Sequence, residues 1–186
     1  MKKWNTLNVS HEVIRTFVSK GDICIDATAG RGFDTIFLAE LVGNCGKVYA
    51  FDIQQEAIDS TNLLVQSKGI GNVTTILDSH TNMDSYIDGG VSCITFNFGW
   101  LPKGNHKICT RPDTSIIAID KGLELLKDNG IMSLCIYYGK DTGFAERDAI
   151  LEHLTTIDSN RYTAIVTNFS NRPNCPPIFA LIVKGV

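Results

Sequence analysis

Two glycines, Gly30 and Gly32, follow the apolar run "ICIDA" and lead straight into "FDTIFLAELV", which reads as a helix. A glycine turn between a buried strand and a helix lets backbone amides face a ligand. Asp52 ends the next apolar run, "KVYAFD", about 20 residues beyond Gly32, where an acidic side chain bonds ribose hydroxyls in nucleotide-binding folds. A tight connection and a helix cap explain the same residues singly, but the register of Asp52 favours a nucleoside. The dinucleotide pattern GxGxxG is not met, because Thr35 stands where its third glycine belongs.

Later strand ends carry further candidates. "LDSH" (77–80) offers Ser79 and His80 after a third run, and "NFGWLP" (97–102) offers Asn97 and Trp100 after a fourth. The most basic run, "KGNHKICTRPDT" (103–114), places His106, Lys107 and Arg111 ahead of a helix N-terminus, which is favourable for phosphate. A solvated loop carries such charges equally well. Tyr138 in "YYG" and the segment "NRPNCPP" (171–177) fall on the same rim.

These positions need a frame. The periodicity predicts an N-terminal helix from about Ser10 to Ser19, with Val13, Ile14, Phe17 and Val18 on one face. Strand-like runs "DICIDA", "GKVYAFDI", "NVTTILDS", "VSCITFNFG" and "IMSLCIYYG" then alternate with helical segments, the longest beginning at Pro112 and Asp113. "RYTAIVTNFSN" and "PPIFALIVKG" close the chain as two strands joined by a short loop. This alternation implies an α/β, Rossmann-like fold: a seven-stranded, mostly parallel sheet with an antiparallel C-terminal hairpin and helices on both faces. No linker or repeat divides the chain, so 1–186 reads as a single domain.

Composition narrows the function. With 44% hydrophobic and 20% charged residues in 186, the chain can bury a core without staples. The six cysteines include no CxxC pair, and Cys24, Cys93 and Cys135 sit in apolar strands, so they read as reduced structural thiols with no metal site. A net charge of −3 gives no global basic field, which disfavours, without excluding, a polynucleotide partner. The N-terminus lacks a signal-peptide core, and no run has the length of a membrane span, so a cytoplasmic protein is expected.

The order Asp26, three residues, Gly30, one residue, Gly32 resembles motif I of class I S-adenosylmethionine-dependent methyltransferases, with Thr28 where that motif often has a further glycine. The resemblance implies S-adenosylmethionine as cofactor. Its methionine part would lie against Asp26, Ala29, Gly30 and Arg31, with Gly32 and Asp34 completing the loop. Asp52 would hold the ribose, Gln54 would lie beside the adenosine, and Ser79 and His80 would flank the adenine. In methyltransferases acting on amino groups the fourth strand ends in Asn or Asp, two prolines and an aromatic; Asn97 and Trp100 match the first and last positions. Asn97 would aim an amine nitrogen and Trp100 would wall its apolar side, both as catalytic residues, with solvent, His80 or His106 as the proton acceptor.

Together, "DATAGRGFDT", "FDIQ", "DSH", "NFGWLP", "TRPDTSI" and "NRPNCPP" look like the small bacterial methyltransferases labelled rRNA-methylase-like, over about Asn8 to Lys184. Characterised relatives methylate the aminomethyl group of wobble 5-aminomethyl-2-thiouridine in tRNA. The resemblance thus implies a tRNA partner met at its anticodon loop, contacted through His106, Lys107, Arg111 and Tyr138; a homodimer is a separate open expectation. Many relatives have Asn at the position of Arg31 and Tyr at that of Trp100. An rRNA or small-molecule methyltransferase, or a non-enzymatic nucleotide-binding module, are the competing expectations.

Overall fold

The strand β1 (Ile23–Asp26) is short and buried, and its neighbours are apolar enough to lie at the centre of a sheet covered on both sides. The computed structural model describes residues 4–99, 110–139 and 143–185. Seven strands run in the order β3-β2-β1-β4-β5-β7-β6, where β2 is Lys47–Asp52, β3 Val73–Leu77, β4 Val91–Phe98, β5 Leu126–Ile136, β6 Tyr162–Thr167 and β7 Ile178–Lys184. The first five pair in parallel; β7 pairs antiparallel with β5 and β6, so the expected hairpin forms one edge.

Successive side chains along a strand point to opposite faces, and two cores result. Ile25, Ile94, Phe96 and Leu134 face one side, with Ala118, Ile119 and Leu123 of helix α4 (Pro112–Leu125) and Ile150 of α5 (Phe144–Leu154). Cys24, Cys93 and Cys135 face the other, against Ile14 of α1 (Thr6–Phe17) and Phe37, Leu38 and Val42 of α2 (Phe33–Val42). Helix α3 (Gln55–Ser67) packs beside α2 over β2 and β3.

Helix α1 departs from the sequence expectation. It begins at Thr6, because the Asn5 side chain caps it by accepting from Asn8 N–H at 2.8 Å, and it ends at Phe17. Its buried residues are Thr6, Ser10 and Ile14, while Phe17 is partly exposed. Small polar residues can face inward here because each has a partner: Ser10 Oγ meets Ser133 Oγ at 2.7 Å and Thr6 Oγ1 donates to the Pro177 carbonyl at 2.6 Å. A 3-10 helix, His80–Ser85, was also not foreseen; Ser79 caps it through Thr81 N–H.

Candidate active site

The turn after β1 hangs from the strands on either side. Ala27 N–H donates to the Thr95 carbonyl at 2.9 Å and Ala29 N–H to that of Phe51 at 2.8 Å. Gly30 (φ 54°) and Gly32 (φ 80°) take left-handed backbone, which glycine adopts without Cβ strain. A Cβ on Gly32 would lie 3.0 Å from Thr61 Cα, so the turn also presses on α3. Arg31 crosses to the first turn of α3 and pairs with Glu56 at 2.8 Å.

Three carboxylates surround this turn. Asp26 is fully buried; Thr35 Oγ1 donates to it at 2.6 Å and Thr28 N–H at 3.3 Å. Burial, reinforced by the neighbouring Asp34, raises its pKa to about 7. Asp52 accepts from Gly30 N–H at 3.0 Å and Gln54 N–H at 2.9 Å, and burial outweighs these bonds to raise its pKa. Each of its oxygens retains a lone pair for a further donor.

The region fits a nucleoside cofactor. Beside Asp52, the side chains of Ile53, one residue past β2, and Leu77, which pairs with Asp52 at the end of β3, are apolar yet 57% and 51% exposed, and they offer an apolar surface for a base. His80 is 91% buried from its 9% relative exposure; burial lowers its pKa despite a hydrogen bond to the Ala27 backbone. Its Nε2 has no partner among the described residues, an orphaned polar atom beside the turn that a ligand group can satisfy. Ser79 is turned to its own 3-10 helix, accepting from Thr81 Oγ1 at 2.8 Å.

At the end of β4, Asn97 N–H donates to Thr28 Oγ1 at 2.8 Å, tying the strand end to the glycine turn. Its side-chain Nδ2 donates to Asp34 Oδ2 at 2.7 Å. The other Asp34 oxygen, Oδ1, meets His11 Nε2 at 2.7 Å. Asp34 thus joins Asn97 to α1, and both of its oxygens are engaged. His11 was missed in the sequence; its only local signal is a place beside the small, buried face of α1, which becomes visible once Ser10 and Thr6 are seen to dock.

Of the remaining expected residues, Trp100, His106 and Lys107 lie outside the described residues. Arg111 is exposed at the N-cap of α4. Tyr138 packs edge-on against Phe144 with ring centroids 5.6 Å apart, and Arg147 lies 4.6 Å above it. Gly99 and Thr110 clasp each other: Gly99 N–H donates to Thr110 Oγ1 at 2.8 Å, and Thr110 N–H to the Gly99 carbonyl at 3.0 Å. Thr110 is held in turn by buried Glu146, to which it donates at 2.9 Å. A cavity of about 200 Å³ opens nearby between Asn5, Thr6, Tyr137, Phe169, Arg172 and Pro177. Among the described residues no helix is long and apolar enough to cross a membrane.

The sheet order, the glycine turn and the acid on β2 define a class I S-adenosylmethionine-dependent methyltransferase. The crystal structure of an rRNA-methylase-type protein from Clostridium thermocellum superimposes with a TM-score of 0.96 at 46% identity, over 99% of this chain and 100% of that one. A methyltransferase-type protein from Streptococcus mutans, solved in complex with SAH, matches with a TM-score of 0.89 at 35% identity, over 99% of both chains. The family model described as "Putative rRNA methylase" matches residues 48–183, and the chain belongs to that family. The chloroplastic tRNA (mnm(5)s(2)U34)-methyltransferase of Arabidopsis thaliana is 34% identical over 179 residues, 90% of this chain. The chain spans 65% of that relative's length.

Proposed function

We propose that the protein methylates the aminomethyl nitrogen of wobble 5-aminomethyl-2-thiouridine in tRNA, giving 5-methylaminomethyl-2-thiouridine. The observation that carries an amine substrate is the Asn97 amide. Its Nδ2 is committed to the Asp34 carboxylate, so its carbonyl oxygen is left as an acceptor at the end of β4. A carbonyl accepts an amine hydrogen and directs the nitrogen lone pair, one part of the positioning on which an in-line methyl transfer depends. The tRNA substrate is supported by the Arabidopsis relative, whose name states that activity.

S-adenosylmethionine supplies an electrophilic methyl group on a sulfonium sulfur. On this reading Asp26, Ala29, Gly30, Arg31 and Gly32 cradle its methionine part, Asp52 and Gln54 its ribose, and Ser79 and His80 its adenine. Asp52, which keeps lone pairs free at the mouth of the turn, adds a negative field that favours the cofactor's cation, while both oxygens of Asp34 are already engaged by His11 and Asn97. The attacking amine must be neutral, and its proton passes to water: buried His80, with its lowered pKa, is a poor acceptor for it. The target base enters the cavity beside Tyr137 and Phe169, where Arg172 lies 3.9 Å above the Phe169 ring. Aromatic and guanidinium planes of this kind stack on unpaired bases. Trp100 walls the reacting group, and His106, Lys107, Arg111 and Tyr138 meet the anticodon loop.

The test is Asn97→Ala. Turnover on tRNA should fall about 100-fold or more, as when one preorganised polar group is removed from a reacting centre, with cofactor binding unchanged. Salt-dependent tRNA binding that weakens in Lys107→Ala and Arg111→Ala separates this reading from a small-molecule methyltransferase. Full turnover in Asn97→Ala contradicts it.

A further inference from the structure

Three segments far apart in sequence meet in one unbranched chain of polar contacts: His11 of α1, Asp34 of α2 and Asn97 of β4. Asp34 is the only carboxylate in that chain, and both contacts to it are 2.7 Å. Reversing the Asn97 amide would set its carbonyl oxygen against a carboxylate oxygen, so Asp34 dictates which way the amide faces. Asp34 itself is only 11% exposed at its side chain, and His11 closes its second oxygen.

The His11 ring is fixed as well. It stacks on Phe37 with centroids 3.8 Å apart and planes 7° from parallel, and Arg15 covers Phe37 at 4.8 Å. Helix α1 is pinned by the Ser10 to Ser133 and Thr6 to Pro177 hydrogen bonds. His11 and Asp34 both precede residues 48–183, the part matched by the family model.

We propose that His11 and Asp34 are positioning residues that lock the Asn97 amide with its carbonyl oxygen toward the substrate amine, making α1 part of the catalytic apparatus. This rests on Asn97 holding the amine, and it gives Asp34 a role distinct from the cofactor contact expected of the loop. The chain adds no proton transfer of its own. Asn97 Nδ2 stays a donor to Asp34, and His11 Nε2 closes the far side.

Four variants test it. Asp34→Asn keeps an acceptor oxygen for Asn97 and an amide group for His11, and His11→Gln keeps a donor near the position of Nε2. Asp34→Ala and His11→Leu remove these groups. The expected result is a kcat about 10- to 100-fold lower in Asp34→Ala and His11→Leu, the worth of one charge-assisted hydrogen bond. Asp34→Asn and His11→Gln should stay within about fivefold of the parent, since a hydrogen-bonded geometry is kept. Cofactor affinity by calorimetry should be the same in all.

A second readout needs no substrate. In nitrogen-15 NMR of the cofactor-free protein, the Asn97 side-chain amide protons should exchange slowly in the parent and in Asp34→Asn, and quickly in Asp34→Ala. An Asp34→Asn variant as slow in turnover as Asp34→Ala, or cofactor affinity lost in Asp34→Ala while kcat holds, would overturn the proposal in favour of a charge or cofactor role. Failure of the parent to methylate tRNA removes the functional reading, but the amide exchange still decides whether Asp34 locks Asn97.

Discussion

Asp26→Asn should stabilise the cofactor-free protein at pH 8 and do so much less at pH 5. Asp26 has no exposed surface, and its pKa rises from 3.8 to about 7 because burial penalises the carboxylate and Asp34 adds like charge. The native carboxyl therefore holds its proton more tightly than the unfolded one. Stability falls as pH rises from about 3.8 to about 7 and is level above that range. At about 1.36 kcal/mol for each tenfold in acidity, the ionised carboxylate costs up to about 4 kcal/mol at pH 8. Asparagine keeps an acceptor for Thr35 Oγ1 but turns its amide hydrogens toward Thr28 N–H, whose bond to Asp26 is already long at 3.3 Å. Losing that bond offsets about 1 kcal/mol, which leaves a net gain of about 2–3 kcal/mol at pH 8. Urea unfolding of both proteins at pH 5 and pH 8 measures the difference. A variant less stable than the parent at pH 8, or a gain equal at the two pH values, would mean that Asp26 does not carry a buried, costly charge. If Asp26 lies against the cofactor's methionine part as proposed, the same variant binds S-adenosylmethionine more weakly, so a buried carboxyl that costs stability is retained for function.

Gly32→Ala should lose about 1–3 kcal/mol from left-handed backbone alone, and more from its contact with Thr61, with cofactor affinity falling alongside in a thermal-shift titration. Parent-like stability and affinity would show that the turn relaxes freely. Glu146→Ala should leave the hydroxyls of Ser115 and Thr110 without their shared acceptor and cost about 2–4 kcal/mol in chemical unfolding. Because Thr110 clasps Gly99, its kcat should fall as well, and Glu146→Gln should recover part of both. Burial raises the carboxyls of Asp26, Asp52 and Glu146 in the same direction, so their shared contribution to stability should be larger at pH 5 than at pH 8. Buried His80, with its lowered pKa, pulls the other way below its ordinary value; unfolding Glu146→Gln and the parent in urea at both pH values reads the carboxyl part.

The glycine turn was legible because its rule is local. Gly30 and Gly32 do occupy left-handed backbone, and Asp52 lies within hydrogen-bonding distance of Gly30. The sheet followed from alternation of period, and the closing strands from a loop too short for a crossover. Helix α1 was legible where its expected face is apolar, with Ile14 and Val18 buried and Val13 packed on the core, but it begins four residues earlier than expected, because Thr6 and Ser10 are received by Pro177 and Ser133. Phe17, expected on the same face, is exposed. The link from His11 through Asp34 to Asn97 depends on that docking, so residue type and spacing along the chain do not reveal it. Ile53 and Leu77 carried a weak signal, apolar residues at strand ends beside an acid, that only exposure makes meaningful.

The most direct measurement is methyl transfer from labelled S-adenosylmethionine to tRNA purified from cells lacking this gene, with mass analysis of the nucleosides. The expected result is that 5-methylaminomethyl-2-thiouridine appears as its aminomethyl precursor disappears, and that Asn97→Ala carries out the conversion about 100-fold or more slowly while still binding cofactor. Cofactor binding with the precursor left unmethylated by the parent protein would contradict it.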